Sequence, residues 1–403
     1  MGKKRTLFGK IRSLFVGPIG DFTGTPASIN DLDFGVAVNH DTALRFTAVF
    51  AAIKLLSENI AALPKTVKLV TDRGAVPAAQ HPVFKLLHQS PNDYTDTFTF
   101  WFQIMAALLG WGNAFAVIQW DKKGNPVALH QIAPMYVKIT FVNGMKAFVV
   151  NDPDPNRRWL NGTYLNFEML HFMFYSLDGI VGIDPISWNA PAIGRGIAAQ
   201  KFSAEFYKKG GNIKGVLETD NNLGDQAYES FMKHYKDAAQ NFETPLLEYG
   251  IKYKNISISP VAANLIQSET LSIQDIARIF SVPPHLLAEL SHATFSNIEQ
   301  QNIFFSTYSL RPLCKRLEQQ IENKLFADFE QGEYSVKFDL KGMMRGDDAA
   351  RSQYYEKAIN SGWMTPNEAR ELEEMPLLDG LDKPRIPLNY VEVGSENDNN
   401  DES

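Results

Sequence analysis

The first long apolar pattern opens at Asp41, read as an N-cap, and carries Leu44, Phe46, Val49, Phe50, Ile53, Leu56, Ile60 and Leu63 before Pro64 ends it. That spacing predicts a helix with more apolar surface than one packing seam uses. A second helix is predicted over Thr97–Leu109. Short β-like runs follow at Thr66–Val70, Ala114–Trp120, Ala128–Ile132, Val137–Val142 and Lys146–Val150. They are punctuated by Lys122-Lys123-Gly124-Asn125 and by Asn143-Gly144, a two-residue hairpin signal. This half reads as α+β, helices first and then a largely antiparallel sheet.

From Ile183 the character changes. Pro185 and Pro191 lead into a predicted helix over Ala192–Lys208, stopped by Gly210-Gly211. A strand at Gly215–Thr219, a helix at Asp225–Ala239 and strands at Leu246–Tyr249 and Ile251–Ile258 make a compact β-α-β-β unit over 213–260. A helix over Ser268–Phe280 then ends at Val282-Pro283-Pro284, so the small unit is an insertion between two helices. Ser296 and Glu299 form a capping box, and the helix they start is predicted to run to Phe326, about 45 Å. Pro312 inside it removes the bond to the Tyr308 carbonyl and predicts a bend. A strand at Ser335–Leu340, a helix at Asp347–Ser361 and a capping box at Thr365-Pro366-Asn367-Glu368 opening a helix to Glu374 complete the ordered part. The Ser/Glu/Asn/Asp run beyond Gly394 buries nothing and predicts an acidic, disordered tail over 386–403.

With 403 residues, 44% hydrophobic and 21% charged, the chain has apolar material for several cores. The formal net charge of −7 argues against tight non-specific gripping of nucleic acid, which rests on neutralising phosphates with Lys and Arg. The single cysteine, Cys314, sits in an apolar helical pattern and leaves no disulfide framework within the monomer. No apolar run approaches the roughly 18 residues of a membrane span. Residues 1–15 are basic with Leu7, Phe8, Ile11, Leu14 and Phe15 at roughly helical spacing; they read as a partly disordered arm, with weak membrane contact as the lesser alternative.

Candidate chemistry changes little. His81 and His88 have apolar neighbours and read as parts of a packed helix, and no His-Glu-x-x-His or Cys/His cluster exists. Gly194-Arg195-Gly196 lies inside a helical pattern without a third glycine, and neither a phosphate loop nor a Gly-x-Ser-x-Gly elbow occurs. The pairs Asp347-Asp348 and Glu373-Glu374 sit at helix ends, where carboxylates have a structural role. Phe98, Phe100, Trp101, Phe102 and Trp111 lack interleaved basic residues, so core or subunit interface is expected rather than base stacking. No catalytic residue, metal site or cofactor is assigned. The competing reading, a hydrolase or transferase with an unrecognised active site, has no motif behind it.

Several segments resemble the portal proteins of long-tailed double-stranded-DNA phages. They are Ile276-Ala-Arg-Ile-Phe-Ser-Val-Pro-Pro-His-Leu-Leu287, Ala293-Thr-Phe-Ser-Asn-Ile-Glu-Gln-Gln301 and Tyr308-Ser-Leu-Arg-Pro312. Val49–Leu63, Asn113-Ala-Phe115, Phe206-Tyr-Lys-Lys-Gly-Gly211 with Gly215-Val-Leu217, and Met364-Thr-Pro-Asn-Glu-Ala-Arg370 agree with the same family, so the resemblance spans roughly residues 40–385. It implies a ring of about twelve subunits with a phage portal fold: wing, two-helix stem, inserted β-α-β-β clip, tunnel loop and helical crown. On that resemblance 1–40 is an arm, 41–184 and 296–345 the wing, 185–209 and 261–289 the stem helices, 210–260 the clip, 290–295 the tunnel loop and 346–385 the crown.

The same resemblance makes Leu290, Ser291, His292, Ala293 and Thr294 tunnel-loop candidates for facing DNA. Lys201, Lys208, Lys209 and Lys214 are the basic candidates along stem and channel. Relatives often carry Gly where this chain has Ala288 and Arg where it has His292. The implied work is structural: packaging and ejection of sliding double-stranded DNA at one capsid vertex of the virion, after assembly in the host cytoplasm. Implied partners are the large terminase, the major capsid or scaffold protein and the head-completion or adaptor proteins. A twelve-fold ring would carry on the order of 80 negative charges, a field that repels phosphate and lets DNA slide.

Overall fold

A computed structural model describes residues 36–72, 74–208, 215–220, 223–240, 247, 250–255, 271–288, 303–340, 348–373 and 375–384. It separates into two compact units, residues 1–339 and 340–403. The predicted tunnel loop 290–295, the capping box at Ser296, Lys209, Lys214, residues 1–35 of the N-terminal arm and the acidic tail all lie outside the described residues.

The opening pattern divides into two helices. Helix α1 (His40–Arg45) is capped by Asn39, whose side chain accepts from Thr42 N–H while Thr42 bonds back to the Asn39 N–H, so the cap lies two residues before the expected Asp41. Phe46 turns extended (φ −77°, ψ 115°) and helix α2 (Thr47–Ala62) follows. Phe46 breaks the helix because its ring is taken up elsewhere: a Cβ on Gly196 would lie 2.7 Å from that ring.

Strands β1 (Lys65–Thr71) and β2 (Gly74–Pro77) form an antiparallel hairpin, and β11 (Tyr334–Phe338) pairs on the other side of β1, Val67 facing Val336. Helices α3 (Pro82–His88) and α4 (Thr97–Trp111) come next, the latter capped by Asp96 accepting from Thr99 N–H at 2.8 Å. A second antiparallel sheet has the order β4-β3-β8, from β3 (Asn113–Trp120), β4 (Pro126–Ile132) and β8 (Met169–Met173). A third has β5-β6-β7, from β5 (Val137–Val142), β6 (Met145–Val150) and β7 (Gly162–Leu165). Asn143 and Gly144 both take positive φ, 52° and 75°, as a primed turn joining β5 to β6 requires.

Six successive residues of β3, Asn113–Ile118, are buried. Both faces of that strand are covered, which explains its continuous apolar run. On one side Phe115 and Val117 join Ile139, Phe148 and Met169 in the core between the second and third sheets. On the other lies Trp101 of α4, fully buried, edge-on to Phe338 of the first sheet at 5.2 Å and to Phe172 of the second at 6.2 Å. Of the aromatic cluster, Phe100 and Trp101 are core while Phe98 stays exposed.

Helix α5 (Pro185–Trp188) leads into α6 (Ala190–Lys208). After it come β9 (Gly215–Glu218), α7 (Asp225–Gln240) and β10 (Lys252–Asn255), with β9 and β10 antiparallel, Gly215 facing Asn255. The predicted strand at Leu246–Tyr249 falls almost wholly outside the described residues. Helix α8 covers 271–279. It ends in a Schellman turn: Val282 N–H donates to Ala277 O at 2.8 Å and Ser281 N–H to Arg278 O at 3.2 Å, with Ser281 left-handed at φ 54°. The two prolines follow this stop rather than make it.

The chain is helical again from 303. It runs as a π-helix over Phe305–Leu310 before α9 (Arg311–Leu325). The bend expected at Pro312 is thus absorbed as a wide turn, with Arg311 N–H reaching back five residues to Ser306 O and Pro312 placed in the first turn of α9, where its missing N–H costs nothing. Cys314 is buried in α9, and burial pushes its thiol up to about 12, so it is inert packing. The second unit has α10 (Asp348–Asn360) and α11 (Pro366–Leu372), with Ala358, Met364 and Ala369 as its core. Thr365 and Glu368 form the predicted capping box.

Candidate DNA-conduit elements and the junction that positions them

Helices α6 and α8 flank the inserted β9-α7-β10 unit. They lie side by side because Gly196 leaves no side chain between them: a Cβ there would meet the Phe46 ring and come 3.3 Å from Ser272 Cβ. The same Gly194-Arg195-Gly196 stretch that fails as a phosphate loop therefore serves helix packing. Arg195 pairs across with Asp275 of α8, which also binds Arg278 at 2.6 Å. Lys201 and Lys208 are exposed on α6, seven residues and so two turns apart, which puts them on one face.

What holds the start of this helix pair is a buried polar junction. Asn113, at the head of β3, grips residue 182 with both ends of its amide: Nδ2 donates to Gly182 O at 2.8 Å and Oδ1 accepts from Gly182 N–H at 2.7 Å. His171 of β8 lies 3.0 Å from the same Oδ1 through Nε2, and its Nδ1 lies 3.0 Å from Lys146 Nζ. An ammonium only donates, so Nδ1 is the acceptor and Nε2 carries the proton. Burial, with the charges of Lys146 and Lys324, holds the His171 imidazole well below its usual value, and it stays neutral. Burial, followed by the Lys324 charge, lowers the Lys146 amine to about 8.

From this junction the chain enters α5. Asp184 caps it, accepting from Ile186 N–H at 2.9 Å and Ser187 N–H at 3.2 Å, and lies 3.0 Å from His40 Nε2. Burial pushes the Asp184 carboxyl up, but hydrogen bonds from His40 and Ser187 outweigh it and leave it below its ordinary value. His40 in turn stacks on Trp111 at 4.7 Å. The sequence signal for this site is thin: Asn113 could be read only as one residue of a family-like segment, and His171 carried no motif.

Ala288 is left-handed at φ 62°, closing a 3₁₀ turn over Pro284–Leu287. This is the position at which the resemblance to phage portals implies glycine. A Cβ in that region costs about 1–2 kcal/mol, offset in part by the tighter unfolded chain. Ala288→Gly is expected to stabilise the subunit by about 0.5–1 kcal/mol in chemical unfolding; a loss of stability would show that the turn is not strained.

A cavity of about 430 Å³ is lined by Tyr94, Phe100, Gln103, Arg157 and Trp159. Arg157 is committed there, donating to Gln131 O and lying 3.5 Å from Asp152. Its walls hold the hydroxyls of Tyr94 and Thr95 but no His, Cys, Asp or Glu. Among the described residues no group of three His, Cys, Asp or Glu side chains could hold a metal ion, and no helix is long and apolar enough to cross a membrane.

A family model described as phage portal protein matches residues 47–374. The probable portal protein of Streptomyces phage phiC31 is 32% identical over 378 residues, covering 90% of this chain and 82% of that protein. Among solved structures, an HK97-family phage portal protein from Corynebacterium diphtheriae has a TM-score of 0.52 at 16% identity, over 77% of this chain and 98% of that one. A chain in the neck of a native gene transfer agent particle, computed with C12 symmetry, has a TM-score of 0.55 at 20% identity, over 85% of this chain and 96% of that one. The fold is that of the phage portals. With a match that reaches from the first residue of α2 past the end of α11, the chain belongs to the phage portal protein family.

Proposed function

We propose that this chain is one subunit of a ring of about twelve copies, set at one vertex of a phage capsid, through which double-stranded DNA is packaged and later ejected. The observation that carries this reading is the pairing of α6 with α8 around an inserted β9-α7-β10 unit, in a chain whose family match covers both helices. In this reading the pair is the stem, 210–260 the clip, 41–184 with 296–345 the wing, and 346–385 the crown. The work is mechanical, without turnover. ATP hydrolysis falls to a large terminase docked on the ring, whose place is later taken by head-completion proteins. Gene transfer agent necks holding chains of this fold were computed with C12 and with C6 symmetry, both compatible with a ring of twelve.

Lys201 and Lys208, with Lys209 and Lys214, damp the repulsion between an acidic ring and phosphate at a few points of the channel. Leu290–Thr294 form the loop that meets the duplex. Imaging the purified protein down its axis tests the reading: rings whose bore admits a DNA duplex are expected, and persistently monomeric protein under several assembly conditions would sink it. Deleting Leu290–Thr294 is expected to leave rings intact while packaged DNA falls; undiminished packaging refutes the loop's role.

A further inference from the structure

Three cationic side chains converge on β8 and the turns on either side of it. Arg316 Nη1 donates to Met173 O at 2.7 Å, Lys324 Nζ to Asn166 O at 2.8 Å, and Lys146 Nζ to Ile180 O. Each is half-buried, and among the described residues none lies within ion-pair distance of a carboxylate. Burial lowers the affinity of all three for their protons, and Lys324 lowers that of Lys146 further, so the patch is both desolvated and self-repelling. Asp178 is the negative charge that Lys146 feels, yet its carboxylate is bound to Ile180 N–H and Val181 N–H.

Desolvated cations are ordinarily paired, because hydration lost on burial is regained only from an opposite charge. Here they are satisfied by neutral carbonyls and, for Lys146, the neutral His171 imidazole, and donors remain: a guanidinium has five N–H groups and an ammonium three. Gln320 lies between Arg316 and Lys324 at four-residue spacing on α9, and its amide oxygen is buried without a hydrogen-bond partner. Directly above, the turn after β8 exposes Tyr175 at 60% and Leu177 at 72%. Phe174 lies under the Arg316 guanidinium, 5.8 Å from it. The complement to such a surface is a peptide with a carboxylate for the cations, an N–H for Gln320 and apolar side chains for the turn. A phosphodiester backbone supplies the charge but neither of the others. A chain of net charge −7 brings carboxylates to any contact between copies.

We propose that Lys146, Arg316 and Lys324, beneath the exposed turn of Tyr175 and Leu177, receive a carboxylate-bearing apolar segment of a second copy of this chain. The proposal rests on the ring reading above and names one contact within it.

Rings assembled from equal amounts of isotope-labelled and unlabelled chains, treated with a zero-length carbodiimide cross-linker, test it. Lys324 is expected in an amide link to an Asp- or Glu-containing peptide, with mixed-label pairs present. Intact rings in which Lys324 is unlinked, or linked only in same-label pairs, overturn the proposal. The double variant Arg316→Gln, Lys324→Gln should keep the circular dichroism of the wild-type subunit and need about tenfold more protein to assemble. Assembly at the wild-type concentration overturns it. So does thermal stabilisation of the lone subunit by inorganic phosphate with no change in assembly, which would make the patch a free-anion site. If the wild-type chain forms no ring at all, it is the ring reading that fails, and the contact falls with it.

Discussion

Gly182→Ala is expected to leave little folded protein. A Cβ at 182 would stand 2.0 Å from Gly112 O and 3.0 Å from Asn113 Oδ1. Neither neighbour is free to yield. Gly112 O accepts from Phe174 N–H at 2.8 Å, and the Asn113 amide is bonded at both ends to residue 182 itself. The reciprocal change meets the same wall: a Cβ on Gly112 lies 1.9 Å from Ile183 O, at a φ of 70° that L side chains avoid. Either substitution must push two backbones apart across a site where every polar group depends on their approach. A cost above about 4 kcal/mol follows, against a total stability of about 5–15 kcal/mol. Gly110→Ala is the control. A Cβ there meets nothing within 4 Å inside a helix, so a gain of about 0.5–1 kcal/mol is expected. Thermal melts of the three variants decide it, and a Gly182→Ala melting temperature equal to that of the wild type would remove the junction from the account of this fold.

The second large effect is on acid stability. His171 is neutral and buried when folded, with its affinity for a proton held well below the usual value, whereas in the unfolded chain it takes a proton below about pH 6.5. The unfolded state then binds more protons than the folded one, so stability falls as pH drops from 6.5 toward the folded value. While the folded imidazole stays unprotonated, one such histidine steepens the loss by up to about 1.4 kcal/mol per pH unit. His130, also lowered chiefly by burial, adds a contribution of the same sign. His171→Gln should be less stable at pH 7.5, since it gives up the stack on Phe115 at 4.6 Å, but should show a shallower slope through this window. Equal slopes for variant and wild type, measured by urea unfolding at several pH values, would mean that His171 does not carry the effect.

The parts of the fold legible in the sequence are those that local chemistry decides. The Thr365–Glu368 box, the Asn143-Gly144 turn and the span of α4 each follow from residues within a few positions of one another. The break at Phe46 was not legible, because its cause is a glycine 150 residues away. The same holds for the Asn113 junction, where an amide reads the backbone 69 residues on and a histidine 58 residues on. Ala288 falls between: its departure from glycine came with the family resemblance, and only the backbone showed that the position is left-handed. Strands β2 and β7, four residues each, were too short for a period to register. The candidate tunnel loop was legible by resemblance alone.

The wide turn at Phe305–Leu310 amounts to one residue kept in reserve within a helix. Were the same residues to close into regular α-helix, at 3.6 residues per turn everything on their N-terminal side would rotate by about 100° relative to α9. Ile303, Phe304 and Tyr308, now facing solvent, would be carried around the axis while Leu313, Leu317 and Ile321 kept their seats in the core. The wide turn thus sets an angle rather than a length: it is what lets Phe305 and Leu310 face the core together with Leu313 and Leu317.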